Sequence, residues 1–187
     1  MAKIKMENKT LVYPMPAFII GANVDGKANF MTAAWSGIAA SNPPAITVGL
    51  QHHRLTLKGM KQNMTFSVNV PSVSQVKETD YVGMVSGAKA DKTAICGFKI
   101  YYGRLETAPL IDQCPVNLEC RVMHILNLGS HELVVGQIEE AYVSEECLTD
   151  GKPDVNKIRP FAYAGRNYIA LGEVIAGAFT IGKELAK

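Results

Sequence analysis

The stretch Asn29–Ser72, NFMTAAWSGIAASNPPAITVGLQHHRLTLKGMKQNMTFSVNVPS, decides how the chain is read. In its first part, Asn29 to Ser36, Ala33 and Ala34 stand between Thr32 and Trp35, so a strand here is poor in bulky side chains and its own N–H and C=O groups can approach a flat ligand. Trp35 adds a stacking or hydrogen-bonding surface. A buried strand with small residues explains the same pattern, and on these residues alone it stands ahead. Ser41-Asn42-Pro43-Pro44 then stops any helix, Ala45 to Leu50 reads as a strand, and Gln51-His52-His53-Arg54 leads into a helix beginning Leu55-Thr56-Leu57-Lys58. A helix start carries unpaired amides and a positive partial charge; Thr56 adds a hydroxyl, and His53 and Arg54 add cationic donors, so the turn suits a phosphate. A solvated basic turn is the competing reading, and the residues alone weigh the two equally.

Working outward, Leu11 to Pro16 is extended and Ala17 to Val24 is an apolar strand. Asp25-Gly26 is a two-residue hairpin turn of type I′ composition, which pairs this strand antiparallel with Asn29–Ser36 and puts Asn29 near the strand end where a ligand would sit. On the other side, Met64 to Val70 is a strand closed by Pro71. Ser72 precedes Gln75 at capping-box spacing, and Val73 to Val85 continues as a helix that ends near Ser86-Gly87. Asp91 caps a short second helix through Cys96. The Ser86 to Lys92 segment carries lysines on a Gly-containing loop, a second grip on a phosphate or an exposed connector; composition favours the connector.

Ile100 to Arg104 and Leu105 to Leu110 read as short strands or an extended connection. Val116 to Leu126 alternates, with Val116, Leu118, Cys120, Val122 and Leu126 on one face and Asn117, Glu119 and Arg121 on the other. Asn127 to Ser130 makes the turn and His131 to Val143 returns as a second long strand, which puts His131 at the mouth of a hairpin. A lone His there is more often a surface residue than a ligand. Pro160 to Leu171 reads as two short strands about Ala164-Gly165, and the tail, Glu173 to Lys187, carries Gly177 and Gly182 and takes no assignment.

Composition bounds the rest. The 187 residues are 48% hydrophobic and 19% charged, a globular composition long enough for one core, so residues 1–187 are expected to form a single domain. A net charge of +2 without a Lys/Arg stripe argues against nucleic-acid binding. MAKIKMENK is too polar for a signal peptide and no apolar stretch approaches a membrane span, so a cytoplasmic protein with no membrane contact is expected. The four cysteines, Cys96, Cys114, Cys120 and Cys147, include no C-x-x-C pair and read as reduced and structural, with a disulfide as the minor reading; no metal site is signalled. Many strands, a few short helices, no βαβ alternation and no G-x-G-x-x-G disfavour a doubly wound dinucleotide fold. A mainly β, six- or seven-stranded antiparallel barrel with helical insertions fits best.

The run T-A-A-W (32–35), S-N-P-P (41–44), a strand, H-R-x-T (53–56) with a helix, and F-S-V-N-V-P (66–71) resembles the flavin reductase-like family of FMN-binding split β-barrels, nearest its flavoredoxin branch. D-Y-V-G-x-x-S-G-x-x-x-D-K (80–92) and A-G-R-N-Y-x-x-L-G-E (164–173) are similar to that branch too, so the likeness spans Tyr13 to Glu173. It implies a Greek-key-like split barrel that forms a homodimer, with a non-covalent FMN in each of two equivalent sites. Asn29, Thr32, Ala33, Ala34 and Trp35 would meet the ring and ribityl chain, with Ser41 beside them. His53, Arg54 and Thr56 would hold the phosphate. Lys92, with Ser86 nearby, would close over the phosphate or ring edge, and His131 would approach from the hairpin of this subunit or the partner. An aromatic contact is implied near Phe161 to Ala164, although Ala164 stands where related chains can carry a larger residue.

No acid–base pair or nucleophile is then required, because FMN carries the chemistry. Three readings follow: an oxidoreductase taking hydride from NADH or NADPH and passing electrons to a small-molecule acceptor, an FMN electron carrier that docks on a redox-partner protein, and a dimeric binding module without catalysis.

Overall fold

Asp25 and Gly26 take φ of 50° and 80°, the left-handed pair that a type I′ turn needs. They fold the strand Phe18–Val24 against Lys27–Ala33 in a register that runs from Phe18 opposite Ala33 to Val24 opposite Lys27. A computed structural model describes residues 1–186. In chain order its elements are β1 (Met15–Pro16), β2 (Phe18–Val24), β3 (Lys27–Ala33), β4 (Ser36–Ser41), β5 (Pro44–Gln51), α1 (Leu55–Asn63), β6 (Thr65–Val70), α2 (Val76–Met84), α3 (Lys92–Ile95), β7 (Ile100–Tyr101), β8 (Leu110–Ile111), β9 (Val116–Asn127), β10 (His131–Val143), β11 (Leu148–Thr149), β12 (Lys152–Pro153), α4 (Val155–Ile158), β13 (Phe161–Ala164) and β14 (Asn167–Ala170).

The main sheet has seven strands in the order β3-β2-β6-β9-β10-β5-β4, with every pairing antiparallel. Its two edges, β3 and β4, follow each other in the chain and meet at Ala34-Trp35 without a ladder between them, so the barrel is split there. From β5, near one edge, α1 carries the chain across to β6 between β2 and β9. The fold is thus a mainly β antiparallel split barrel with short helices. Ile20, Met31, Val48, Phe66, Val68 and Val134 fill the barrel, and Leu57 and Met60 of α1 close it. A second cluster, Ile19, Phe30, Val82, Phe98, Ile111 and Cys114, lies on the other face of β2 and β3, so these strands are buried on both sides. Among the described residues no helix is long and apolar enough to cross a membrane. All four cysteines are free thiols, and burial pushes Cys114 up to about 12.

The structure departs from the sequence reading in three places. β4 is a strand where only a small-residue run and a break were expected, and β3 ends at Ala33 instead of reaching Ser36. Gly37, Ala39 and Ala40 carry no alternation signal, and the strand forms because Ser36 to Ser41 folds back on β5 through a turn at Asn42-Pro43. In β9 the register shifts, Val135 facing His124 and Gly136 facing Val122, so Met123 is bulged out. The bulge reverses the faces beyond it: Ile125 packs on the barrel core and Leu126 is 49% exposed, opposite to unbroken alternation.

On the polar face of β9, Asn117 and Glu119 are buried and Arg121 is exposed. Asn117 donates to Asn69 Oδ1 and to Ile111 O (2.8 and 2.9 Å). Glu119, wholly buried, accepts from the Arg104 and Leu105 amides (2.8 and 2.9 Å) and from the Tyr142 hydroxyl (3.0 Å). One carboxylate thus satisfies two main-chain donors of the loop that covers this face. Glu119→Leu leaves the buried Leu105 amide and the partly buried Arg104 amide and Tyr142 hydroxyl without this acceptor and is expected to cost about 2–4 kcal/mol in a urea titration, whereas Tyr142→Phe, which removes one donor, costs about 1 kcal/mol.

Candidate functional site

The split between β3 and β4 organises the site. Trp35, between the two strands, is 43% exposed, and its carbonyl accepts from the Gly49 amide at 2.7 Å. Its indole is stacked on the His131 ring, centroids 4.5 Å apart at 28°, so the hairpin residue and the small-residue segment meet. His131 Nδ1 lies 2.8 Å from Ser130 Oγ.

Next to β3 the N-terminus of α1 is built as expected. Arg54 holds the N-cap position in extended conformation, no side chain caps the helix, and its first turn contains no acid. The Leu57 amide turns back to Arg54 O at 3.0 Å, and the positive end with the amides of Leu55 and Thr56 faces an incoming anion. Thr56 is buried, and its hydroxyl accepts from Asn29 Nδ2 at 2.7 Å, which ties the helix start to β3. Arg54 Nη1 donates to Gly83 O at 3.0 Å. Lys92 is 5% exposed and its ammonium donates to Val82 O and Val85 O, both at 3.0 Å. The Thr32 hydroxyl donates to Thr79 O. Three candidate ligand residues thus reach the carbonyls of α2 and its exit. Burial, reinforced by the nearby Arg54 charge, pulls Lys92 down to about 8.

Two hollows open along β3. One, about 470 Å³, is bounded by Lys27, Asn29, Leu55, Gly87, Asp91 and Lys92. A side chain at Gly87 would run into the Asn29 carboxamide, so this loop approaches β3 only as glycine. The other, about 260 Å³, is bounded by Ala17, Thr32, Ala34, Asp80, Gly83, Met84, Tyr163 and Tyr168. Tyr168 donates to Asp80 Oδ1 at 3.0 Å and stands edge-on to Phe161 and Tyr163, at 5.5 and 5.9 Å. Burial pushes the Tyr168 hydroxyl up, helped by Asp80.

The remaining sequence candidates are less concentrated. Ala33 is buried in the barrel core. His53 is exposed in the turn before α1, and Ser86 is exposed and accepts from the Ala88 amide at 3.3 Å. Ser41 lies at the far end of β4 from Trp35, opposite Pro44. Phe161 is buried, and Ala164 closes the β13–β14 hairpin opposite Asn167. Tyr163 supplies an aromatic side chain within Phe161 to Ala164, where one was expected, and sequence reasoning overlooked Asp80, Gly83, Gly87 and Tyr168. Gly87 had a local signal in the glycine beside Ser86, but Asp80 and Tyr168 are 88 positions apart and only the fold brings them together.

Among the described residues there is no group of three metal-ligating side chains. The arrangement is a cradle with two unlike ends: a cationic end made by Lys92, Arg54 and the start of α1, and a small-residue and aromatic end made by Thr32 to Trp35 with Tyr163, Tyr168 and His131. A flat molecule with an anionic tail matches those two ends.

Comparison with known proteins agrees with the fold. The crystal structure of the flavoredoxin from Methanosarcina acetivorans superposes with a TM-score of 0.94 at 42% identity, covering 99% of this chain and 100% of that one. The flavoredoxin of Desulfovibrio vulgaris (Miyazaki F) gives 0.91 at 36% identity, covering 97% and 100%. An uncharacterized protein of Archaeoglobus fulgidus is 33% identical over 158 residues, 84% of this chain and 88% of the relative. The profile of the flavin reductase like domain matches residues 10–172. On that match, which takes in all of the main sheet and the cradle, the chain belongs to the flavin reductase-like domain family.

Proposed function

We propose that this chain binds FMN non-covalently in the cradle along β3 and acts as an FMN-dependent oxidoreductase, passing electrons from NADH or NADPH to a small-molecule acceptor. The observation that carries the reading is the convergence of Arg54 and Lys92 beside an uncapped, acid-free helix start, at one end of a strand that turns small residues toward a hollow. A phosphate monoester needs the first feature and a planar ring the second. FMN-binding proteins of the same fold from Thermus thermophilus and Shewanella baltica add support.

Bound FMN would supply hydride and single-electron chemistry, and the protein's part is to hold, orient and tune it. Arg54, Thr56 and Lys92 would hold the phosphate. Arg54 spends one N–H on Gly83 O and Lys92 two on Val82 O and Val85 O, so both cations keep donors in reserve. The main chain of Thr32 to Trp35 would take the ring. Lys92 is the cation able to favour added negative charge on it.

A second reading, an FMN carrier that receives electrons from a protein partner, is supported by the names of the relatives at 42% and 36% identity, both flavoredoxins. A homodimer belongs to either reading. It is supported by the exposed edge strand β4 with Ile38 72% exposed, and by uncovered apolar side chains of the tail, Ile175 and Phe179. Sedimentation should give twice the 20.3 kDa of one chain; a monomer mass removes this part of the proposal.

The purified protein should be yellow, and anaerobic NADH or NADPH should bleach it; a flavin left oxidised by both nucleotides selects the carrier, and a colourless protein that does not take up FMN defeats both readings. Arg54→Ala and Thr56→Ala should each weaken FMN retention by about 1–3 kcal/mol, read by flavin fluorescence on dilution. Because the Lys92 ammonium loses its proton near pH 8, FMN affinity should fall as pH rises through about 8, and Lys92→Arg should remove that step.

A further inference from the structure

We infer that His52, as the imidazolium, is a positioning residue that clasps the tip of the β9–β10 hairpin and thereby keeps His131 stacked on Trp35. The ring sits in the turn after β5, and each of its nitrogens meets an acceptor. Nδ1 is 2.9 Å from Glu132 Oε1 and Nε2 is 2.5 Å from Gly129 O. A carboxylate and a peptide carbonyl only accept, and a neutral imidazole has a single N–H. Both bonds therefore form together only when both nitrogens are protonated, and the neutral ring must surrender one. The weaker anchor of the two is the peptide carbonyl at the tip, which carries no charge.

The surroundings hold that proton in place. From β10, Glu132 is 8% exposed and shares Oε1 with Lys61 Nζ of α1 at 2.7 Å. Lys58, bound to Asp25 at 2.7 Å, lines the same hollow of about 320 Å³ with Leu57 and Gln62. The Gly129 carbonyl first, then Glu132, raise His52 above the ordinary histidine value of 6.5, while burial and the Lys61 charge oppose them. Lys61 first, then His52, hold Glu132 below its ordinary 4.5. The clasp is thus complete below pH 6.5 and is lost as pH rises through the raised value of His52. On the acid side it survives until Glu132 is protonated, below 4.5.

What the clasp holds is short. Gly129, at φ 81°, takes an Asn127 Oδ1 contact on its amide, and Leu128 donates to His131 O at 2.8 Å. His131, whose ring covers Trp35, follows two residues later, so release of Gly129 frees the tip next to the stacked residue. The inference concerns this wall of the cradle and stands whatever the cradle binds.

The chain has one tryptophan, so the full-length protein as purified gives a single indole cross-peak in a proton–nitrogen correlation spectrum, and it reports Trp35. That peak should move with pH at a midpoint above 6.5. The midpoint should be kept in His131→Phe, which retains an aromatic ring against Trp35, and lowered in Glu132→Gln. Added to the His131→Phe background, His52→Gln should abolish the transition. A flat wild-type profile, a transition that vanishes in His131→Phe, or one that survives His52→Gln in the His131→Phe background overturns the inference. If His52→Gln yields no folded spectrum, the Glu132→Gln midpoint decides, and an unchanged value overturns it.

Discussion

The carbonyls of α2 and its exit are the constraint on which the cradle depends. A helix leaves its last carbonyls without partners and its C-terminal end negative. Here Arg54 from the turn before α1 and Lys92 from the start of α3 supply the missing donors, and the Thr32 hydroxyl reaches the Thr79 carbonyl a turn earlier. Through these bonds α2 fixes the position of β3's outer face, of α1's start and of the loop through Gly87. The two cations serve a double purpose. They neutralise a helix end and, being already gathered and partly dehydrated, they form a positive site for an anion without having to be assembled for it.

That arrangement is possible because the barrel does not close. β3 and β4 end without a ladder between them, so the main chain at Ala34 and Trp35 runs outside that pairing, its carbonyls engaged by the Ser36 and Gly49 amides. Phe66, Val68, Val134 and their neighbours form the core with Leu57 and Met60 of α1 packed among them. A rigid barrel thus carries one unpaired seam, and the polar contacts of the site gather along it.

Much of the scaffold was legible because its signals are local. Asp25-Gly26 fixes a hairpin by turn geometry, Asp91 caps α3 through the Ala94 amide, and the long strands β9 and β10 show in the sequence pattern. β4 was hidden because Gly37, Ala39 and Ala40 have no face to alternate, and the bulge at Met123 was hidden because only the partner strand defines a register. For the site, residue types near the helix start and the small-residue strand were readable. Their bonds were not: Lys92 reads as a lysine on an exposed connector, yet it is buried with its charge on two carbonyls. The stacking of His131 on Trp35 and the Asp80–Tyr168 bond join positions far apart in the chain, and nothing in either neighbourhood announces the other.

The buried carboxylate of Glu119 has a consequence for how this fold tolerates change. It grips the segment after β7 by the peptide amides of Arg104 and Leu105, not by their side chains. Replacing residue 104 by any residue but proline keeps the amide that Glu119 grips, whereas adding or deleting a residue there misplaces the amides themselves. Among variants of this chain that segment should therefore drift in identity while holding constant length, a signature opposite to that of an ordinary surface loop.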